Sequence, residues 1–213
     1  MLEKLSRSAF SSIIHRLAGR RSVQRLAEKL GLTGEDFNDF SKAIGDESLA
    51  KVLLSDPFRE KIFRDMPPYG WPTRFSDGTF AVFYAAEARD TSEEEMTYHR
   101  ELDALEDAEN RLPLHMWAFH CNIVGSAVDV RTKHAEWPWL TSDETCHPNC
   151  LNLGKEAIAA RDVDAFRAPS ARHAGGTTVP TFSASVLSNP VVDGTTIFTF
   201  DAVTLKLIRR RQS

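Results

Sequence analysis

One stretch leaves this chain few ways to fold: Thr73-Arg-Phe-Ser-Asp-Gly-Thr-Phe-Ala-Val-Phe-Tyr-Ala-Ala-Glu87 and the acidic segment behind it. Phe80 to Ala86 is an apolar, β-favouring run bounded by Asp77-Gly78 and by Glu87-Ala-Arg-Asp90, the pattern of a strand buried on both faces. Asp90, Thr91 and Ser92 can each cap a helix. Each is followed three residues later by a glutamate, so side chains can satisfy the free amides of a first helical turn. The spacing predicts a helix from there to about Asn110. An arginine, a glycine turn, a strand carrying Tyr84 and a helix therefore follow one another.

Helical arithmetic narrows the choice of inward-facing carboxylate. Tyr98, Leu102 and Leu105 form the apolar stripe of the predicted helix. At about 100° per residue Glu93 points away from that stripe, whereas Glu94 and Glu95 flank it on opposite sides. Periodicity leaves these two open. An acidic first turn also complements the helix dipole, a role that requires no chemistry.

The 213 residues are enough for one domain, or for one domain with an extension, and carry a formal net charge of −4. That charge gives no reason to expect a nucleic-acid partner. It is uneven, however: the first thirty residues hold seven Lys/Arg against two Asp/Glu, while Glu87 to Glu109 is strongly acidic. Three cysteines do not make a disulfide framework and fit a reducing cytoplasm. No apolar run has membrane-spanning length or the form of a signal peptide.

Residues 1–66 read as a helical N-terminal extension. Leu5, Ile13, Ile14 and Leu17 make one stripe and Val23, Leu26 and Leu30 another. Val23 to Phe37 also has the outline of a helix-turn-helix, but its second helix would carry Glu35, Asp36 and Asp39, which repel phosphate. A plain helical hairpin is the expectation. Pro67-Pro68-Tyr-Gly-Trp-Pro72 is a stiff connector into the second part, residues 67–213. Strands are predicted at 115–124, 127–130 (after a turn at Gly125), 165–167 and 177–184, a helix at 151–161, and a hairpin of 195–200 with 203–208. The closing Arg209-Arg-Arg211 reads as a solvated tail. Strands separated by helices, with antiparallel hairpins, indicate an α+β fold with a mixed, largely antiparallel sheet and flanking helices.

Some familiar sites are missing. There is no Gly-x-Gly-x-x-Gly and no phosphate loop ending in Gly-Lys-Ser/Thr. Ser170, in Ala168-Pro-Ser-Ala-Arg172, lacks the glycines of a nucleophile elbow and suits hydrogen bonding better than attack. Cys146-His-Pro-Asn-Cys150 has zinc-ligand residue types, but no second close-set pair completes a closed site. Cys150 is expected to pack at a helix start, and no metal is expected.

Arg-Phe-Ser-Asp-Gly, Val-Phe-Tyr-Ala-Ala and Thr-Ser-Glu-Glu-Glu-Met-Thr-Tyr-His-Arg, together with Phe166-Arg-Ala-Pro-Ser-Ala-Arg-His-Ala-Gly-Gly176, resemble in order the blocks of the RES domain. That domain is the NAD-consuming toxin half of Xre/RES toxin–antitoxin pairs. The likeness spans about residues 70–205 and puts the family's arginine, glutamate and serine on Arg74, Glu95 and Ser170, and its strand tyrosine on Tyr84. Ser92 stands where the family usually has a small apolar residue, and Pro72-Thr73 where it has two glycines; neither change removes a functional group.

The resemblance implies a catalytic set of Arg74, Tyr84 and Glu95, with Ser170, Arg172 and His99 binding substrate. NAD would be a substrate, with no bound cofactor and phosphate as a possible co-substrate. Its nicotinamide leaves a cationic pyridinium as a neutral group, so one carboxylate can serve where ordinary glycosidases need two. Water as acceptor gives hydrolysis, phosphate gives phosphorolysis, and a protein side chain gives ADP-ribosylation. The non-enzyme alternative is a silent RES-like protein acting in assembly or on DNA. An Xre-like antitoxin and a homodimer built on the N-terminal layer are the expected partners.

Overall fold

The computed structural model describes residues 1–19, 45–60, 67–106, 111–142 and 147–212. Its strands are β1 (Arg7–Gly19), β2 (Phe83–Ala86), β3 (Leu114–Asp129), β4 (Ala165–Pro169), β5 (Thr177–Thr181), β6 (Leu187–Asp201) and β7 (Lys206–Gln212). The helices are α1 (Gly45–Ser55), α2 (Arg89–Glu106) and α3 (Pro148–Ala160). The seven strands form one sheet in the order β1-β2-β5-β4-β3-β6-β7. β1 also pairs with β3, so five strands close into a ring from which β6 and β7 extend. Only β3 and β4 run parallel among the described strands, which gives the mixed, largely antiparallel α+β sheet that the sequence predicts.

The first nineteen residues correct the helical reading of the N-terminus. Arg7 to Gly19 is a strand paired along its whole length with β3, from Arg7 opposite Val128 to Gly19 opposite Met116. Adjacent side chains take opposite sides: Ile13 is 51% exposed and Ile14 1%. Phe10, Ile14 and Ala18 are spaced by four residues, which is two strand repeats and also close to one helical turn. Ser8, Ser11, Ser12, Ile13 and Ile14 are weak helix formers, and pairing with β3 decides between the two. The second stripe (Val23, Leu26, Leu30) and the helix-turn-helix segment lie outside the described residues. The predicted helix start near Asp46 corresponds to α1.

Two further readings change. β3 runs straight through Gly125, which sits opposite Phe10 in the ladder and makes no turn. Arg209 to Arg211 is part of β7, paired with β6, and not a free tail.

Three apolar clusters hold the layers together. Leu49 and Leu53 of α1 pack on Ile14, Phe83, Phe119 and Val179. Cys150, Leu153 and Ala157 of α3 pack on Phe75, Val128 and Phe166, so Cys150 fills the core at a helix start as expected; Cys146 lies outside the described residues. Met96 of α2 covers Leu17, Met116, Ala118 and Phe198. Gly154 of α3 lies so close to the loop after the proline connector that a Cβ there would meet the Phe75 carbonyl oxygen at 1.8 Å. That contact seats the residue beside Arg74.

Candidate active site

The loop from Thr73 to Gly78 is folded by its own polar groups. Thr73 N donates to Ser76 O at 2.7 Å, Ser76 Oγ to Phe80 O at 2.7 Å, and Gly78 N to Ser76 Oγ at 3.0 Å. Tyr84 of β2 holds the loop from below: its hydroxyl accepts from Phe75 N at 2.9 Å and shares a 2.7 Å hydrogen bond with Thr73 Oγ1. Burial pushes this hydroxyl up to about 12, against the pull of the Thr73 and Phe75 hydrogen bonds, so Tyr84 stays protonated. Arg74, between its two partners, is thereby aimed into a cavity of about 400 Å³. Its Nη1 lies 3.4 Å from Pro169 O.

Glu95 faces the same cavity from the first turns of α2. Ser170 Oγ donates to its Oε1 at 2.6 Å and Ala171 N donates to the same atom at 3.1 Å. Ser170 Oγ in turn accepts from the amides of Arg172 and His173, at 3.2 and 2.9 Å. A bond of 2.8 Å between Thr91 Oγ1 and His173 Nδ1 fastens this turn to the start of the helix. Glu95 Oε2 has no hydrogen-bond partner among the described residues. One carboxylate oxygen is anchored and the other is not.

Arg172 lies over the Tyr98 ring, 3.5 Å from its centroid, and lines the cavity with His99. Loss of hydration holds His99 below its ordinary value; Glu95 opposes this and Arg172 adds to it, so the imidazole is neutral at neutral pH. The structure thus gathers Arg74, Tyr84, Glu95, His99 and Arg172 around one cavity, with Ser170 directly behind Glu95.

Arg16 is the site residue that sequence reasoning missed. It enters from β1, donates through Nη1 to Tyr84 O, and lies 4.9 Å from the Phe83 ring centroid. Burial lowers it to about 10, which still leaves it a cation at neutral pH, and its buried Nε has no hydrogen-bond partner among the described residues. A single arginine in a Ser- and Ile-rich run carries no signal of this role. It becomes visible only when β1 is placed beside β2.

The glutamate run is divided among three roles, and one differs from the helical reading. Glu94 pairs at the surface with Arg209 at 2.7 Å. Glu93, expected to point outward, has a fully buried side chain. It accepts from Arg89 Nε, Arg211 Nε and Thr196 Oγ1, each at 3.0 Å. Of the supposed apolar stripe, Tyr98 is half-buried while Leu102 and Leu105 are open to solvent, 40% and 46% exposed. β7, which brings Arg209 and Arg211 to the helix, makes the other side the packed one.

Burial opposes the Glu93 charge, but the hydrogen bonds from Arg211, Arg89 and Thr196 outweigh it and hold the carboxyl below its ordinary value. A depressed folded-state value means that this group stabilises the protein at neutral pH and that the stabilisation is lost as pH falls through and below the usual carboxylate range. Glu93→Gln should cost about 3 kcal/mol, the low end for a broken buried ion pair because Arg211 can turn to water. That loss lowers the melting temperature of a chain this size by roughly 6–12 °C. A thermal melt within a degree of wild type would show that the carboxylate is not needed there.

Among the described residues, no helix is long and apolar enough to cross a membrane. No curated protein matches the chain. The family model of the RES domain matches residues 49–201, a span holding all six site residues named from the sequence but neither β1 with Arg16 nor β7. The chain belongs to the RES domain family.

Proposed function

We propose that this chain cleaves the bond between nicotinamide and ribose in NAD, with Glu95 as the single catalytic carboxylate. The observation that carries this reading is the anchoring of Glu95 Oε1 by Ser170 Oγ and Ala171 N while Oε2 stays unpartnered in a cavity walled by Arg16, Arg74 and Arg172. A negative charge fixed in place stabilises the positive charge that grows on the ribose as the bond lengthens, without reorganisation at the moment of reaction. The arginines suit a diphosphate, and Arg74 offers it a planar fork of donors. Tyr84 and His99 are poor acids here, the first raised to about 12 and the second neutral. A neutral nicotinamide needs no proton to leave, so their silence fits this chemistry and argues against an ordinary glycosidase.

The acceptor is tested by incubating purified chain with NAD alone, with phosphate, and with protein, and following nicotinamide and the ribosyl product. Product with phosphate only makes it a phosphorylase, product in buffer alone a hydrolase, and label on protein an ADP-ribosyltransferase. No nicotinamide under any condition would leave a non-catalytic RES protein. An enzyme that empties the NAD pool must be restrained in its own cell, and an Xre-like antitoxin closing the cavity is the partner we propose. The homodimer proposal loses part of its ground, because the stripe of Ile14 and Leu17 is buried within the chain's own sheet.

Arg74→Lys tests the fork. It keeps the charge and loses the paired hydrogen bonds, worth about 1.5–3 kcal/mol when one partner is charged, so NAD cleavage should fall on the order of 10- to 100-fold. Arg74→Ala should be little worse. Near-normal activity in the lysine variant would reduce Arg74 to a point charge.

A further inference from the structure

We propose that His15, His120 and Asp193 form a binding site for a divalent transition-metal ion of the zinc type, separate from the NAD cavity. The three come from β1, β3 and β6, and one donor atom from each lies within 4.8 Å of the other two. His15 and His120 stand directly opposite each other in the β1–β3 ladder.

Asp193 is brought to them by an irregularity in β6. Its pairing with β3 slips between Trp117 and Phe119 and again between His120 and Asn122, and Gly194, beside Asp193, takes a φ of 101°. Bulges of this kind re-aim a side chain that a regular strand would send elsewhere. Here the result is a carboxylate with both oxygens 2.8 Å from His120 Nδ1.

The His120–Asp193 contact alone could be an ordinary ion pair, but it does not account for His15. His15 Nδ1 is buried and has no hydrogen-bond partner among the described residues, an arrangement that is costly if nothing fills it. A metal ion, or a water bound to it, supplies the missing partner. Arg89 donates to Asp193 O at 3.4 Å, and its charge is met by Glu93 at 3.0 Å.

Two imidazoles and a carboxylate are ligands that zinc accepts at about 2.0–2.2 Å, with a fourth position left for water. Donors around such an ion stand roughly 3.3–3.6 Å apart, which these side chains reach by shifts on the order of 1 Å. None of the three residues lines the NAD cavity. The ion would tie β1 and β6 to β3, fastening the strand that carries Arg16.

The test uses the full chain, stripped with chelator and titrated with zinc chloride by calorimetry, with cobalt(II) chloride as a spectroscopic probe. One equivalent should bind, the melting temperature should rise with zinc, and the cobalt spectrum should lack a sulfur-to-metal band. His15→Gln and Asp193→Asn should each weaken zinc binding at least tenfold, while His147→Gln, on the far cysteine segment, should leave it unchanged. Absence of both heat and thermal shift in the wild type, a sulfur band, or unaltered binding by His15→Gln would each overturn the site. The wild-type titration stands whether or not a variant folds.

Discussion

A chain lacking residues 1–62 should fail to fold and should be recovered only as insoluble or unstructured protein. The deletion removes β1, and with it the partner of β3 along all thirteen residues from Arg7 to Gly19. It also removes Leu2, Ile14, Leu17, Leu49 and Leu53, each no more than 4% exposed. At about 1.5–3 kcal/mol for each buried side chain, these five contribute about 8–15 kcal/mol. That is comparable with the whole net stability of a typical domain, about 5–15 kcal/mol. Besides the lost burial, β3 would expose a long unpaired edge, a template for aggregation. Solubility and circular dichroism of the truncated chain check this; a soluble product with a cooperative melt would mean that β1 is an accessory to the sheet.

That expectation reverses what the helical reading of the N-terminus implies, and the reason lies in how far each structural choice reaches along the chain. The strand with Tyr84, the turn before it and the capped start of α2 are decided by neighbours in sequence, and all three were legible. Glu94 and Glu95 could not be separated by periodicity because the selecting contact comes from Ser170, seventy-five positions away. Only the likeness to RES domains pointed to Glu95. Glu93 was misplaced for the same reason, since its partners Thr196 and Arg211 arrive from β6 and β7. A run of arginines at the end of a chain looks solvated until its buried carboxylate is in view. Leu5, Ile13, Ile14 and Leu17 fit a helical stripe, so the N-terminal strand and Arg16 were hidden until pairing with β3 sends Ile13 to solvent and Ile14 into the core. The convergence of His15, His120 and Asp193 depends on a slip in β6, which no spacing announces.

Glu95→Gln should reduce NAD cleavage by about 10²-fold or more, the typical cost of removing a preorganised electrostatic contact to a transition state. The substitution is conservative for the fold: a glutamine oxygen can still accept from Ser170 Oγ and Ala171 N, so the turn and helix stay joined. Only the negative charge facing the cavity is lost. Glu94→Gln is the matched control, because Glu94 is partly exposed and its pair with Arg209 is a surface contact of small worth. The most direct measurement is nicotinamide release from NAD by purified wild type, Glu95→Gln and Glu94→Gln, each confirmed as folded, with water, phosphate and protein acceptors supplied. The proposed function predicts release by wild type and Glu94→Gln and a loss of about 10²-fold or more in Glu95→Gln; folded wild type that releases no nicotinamide with any acceptor, or a Glu95→Gln variant as fast as wild type, would contradict it.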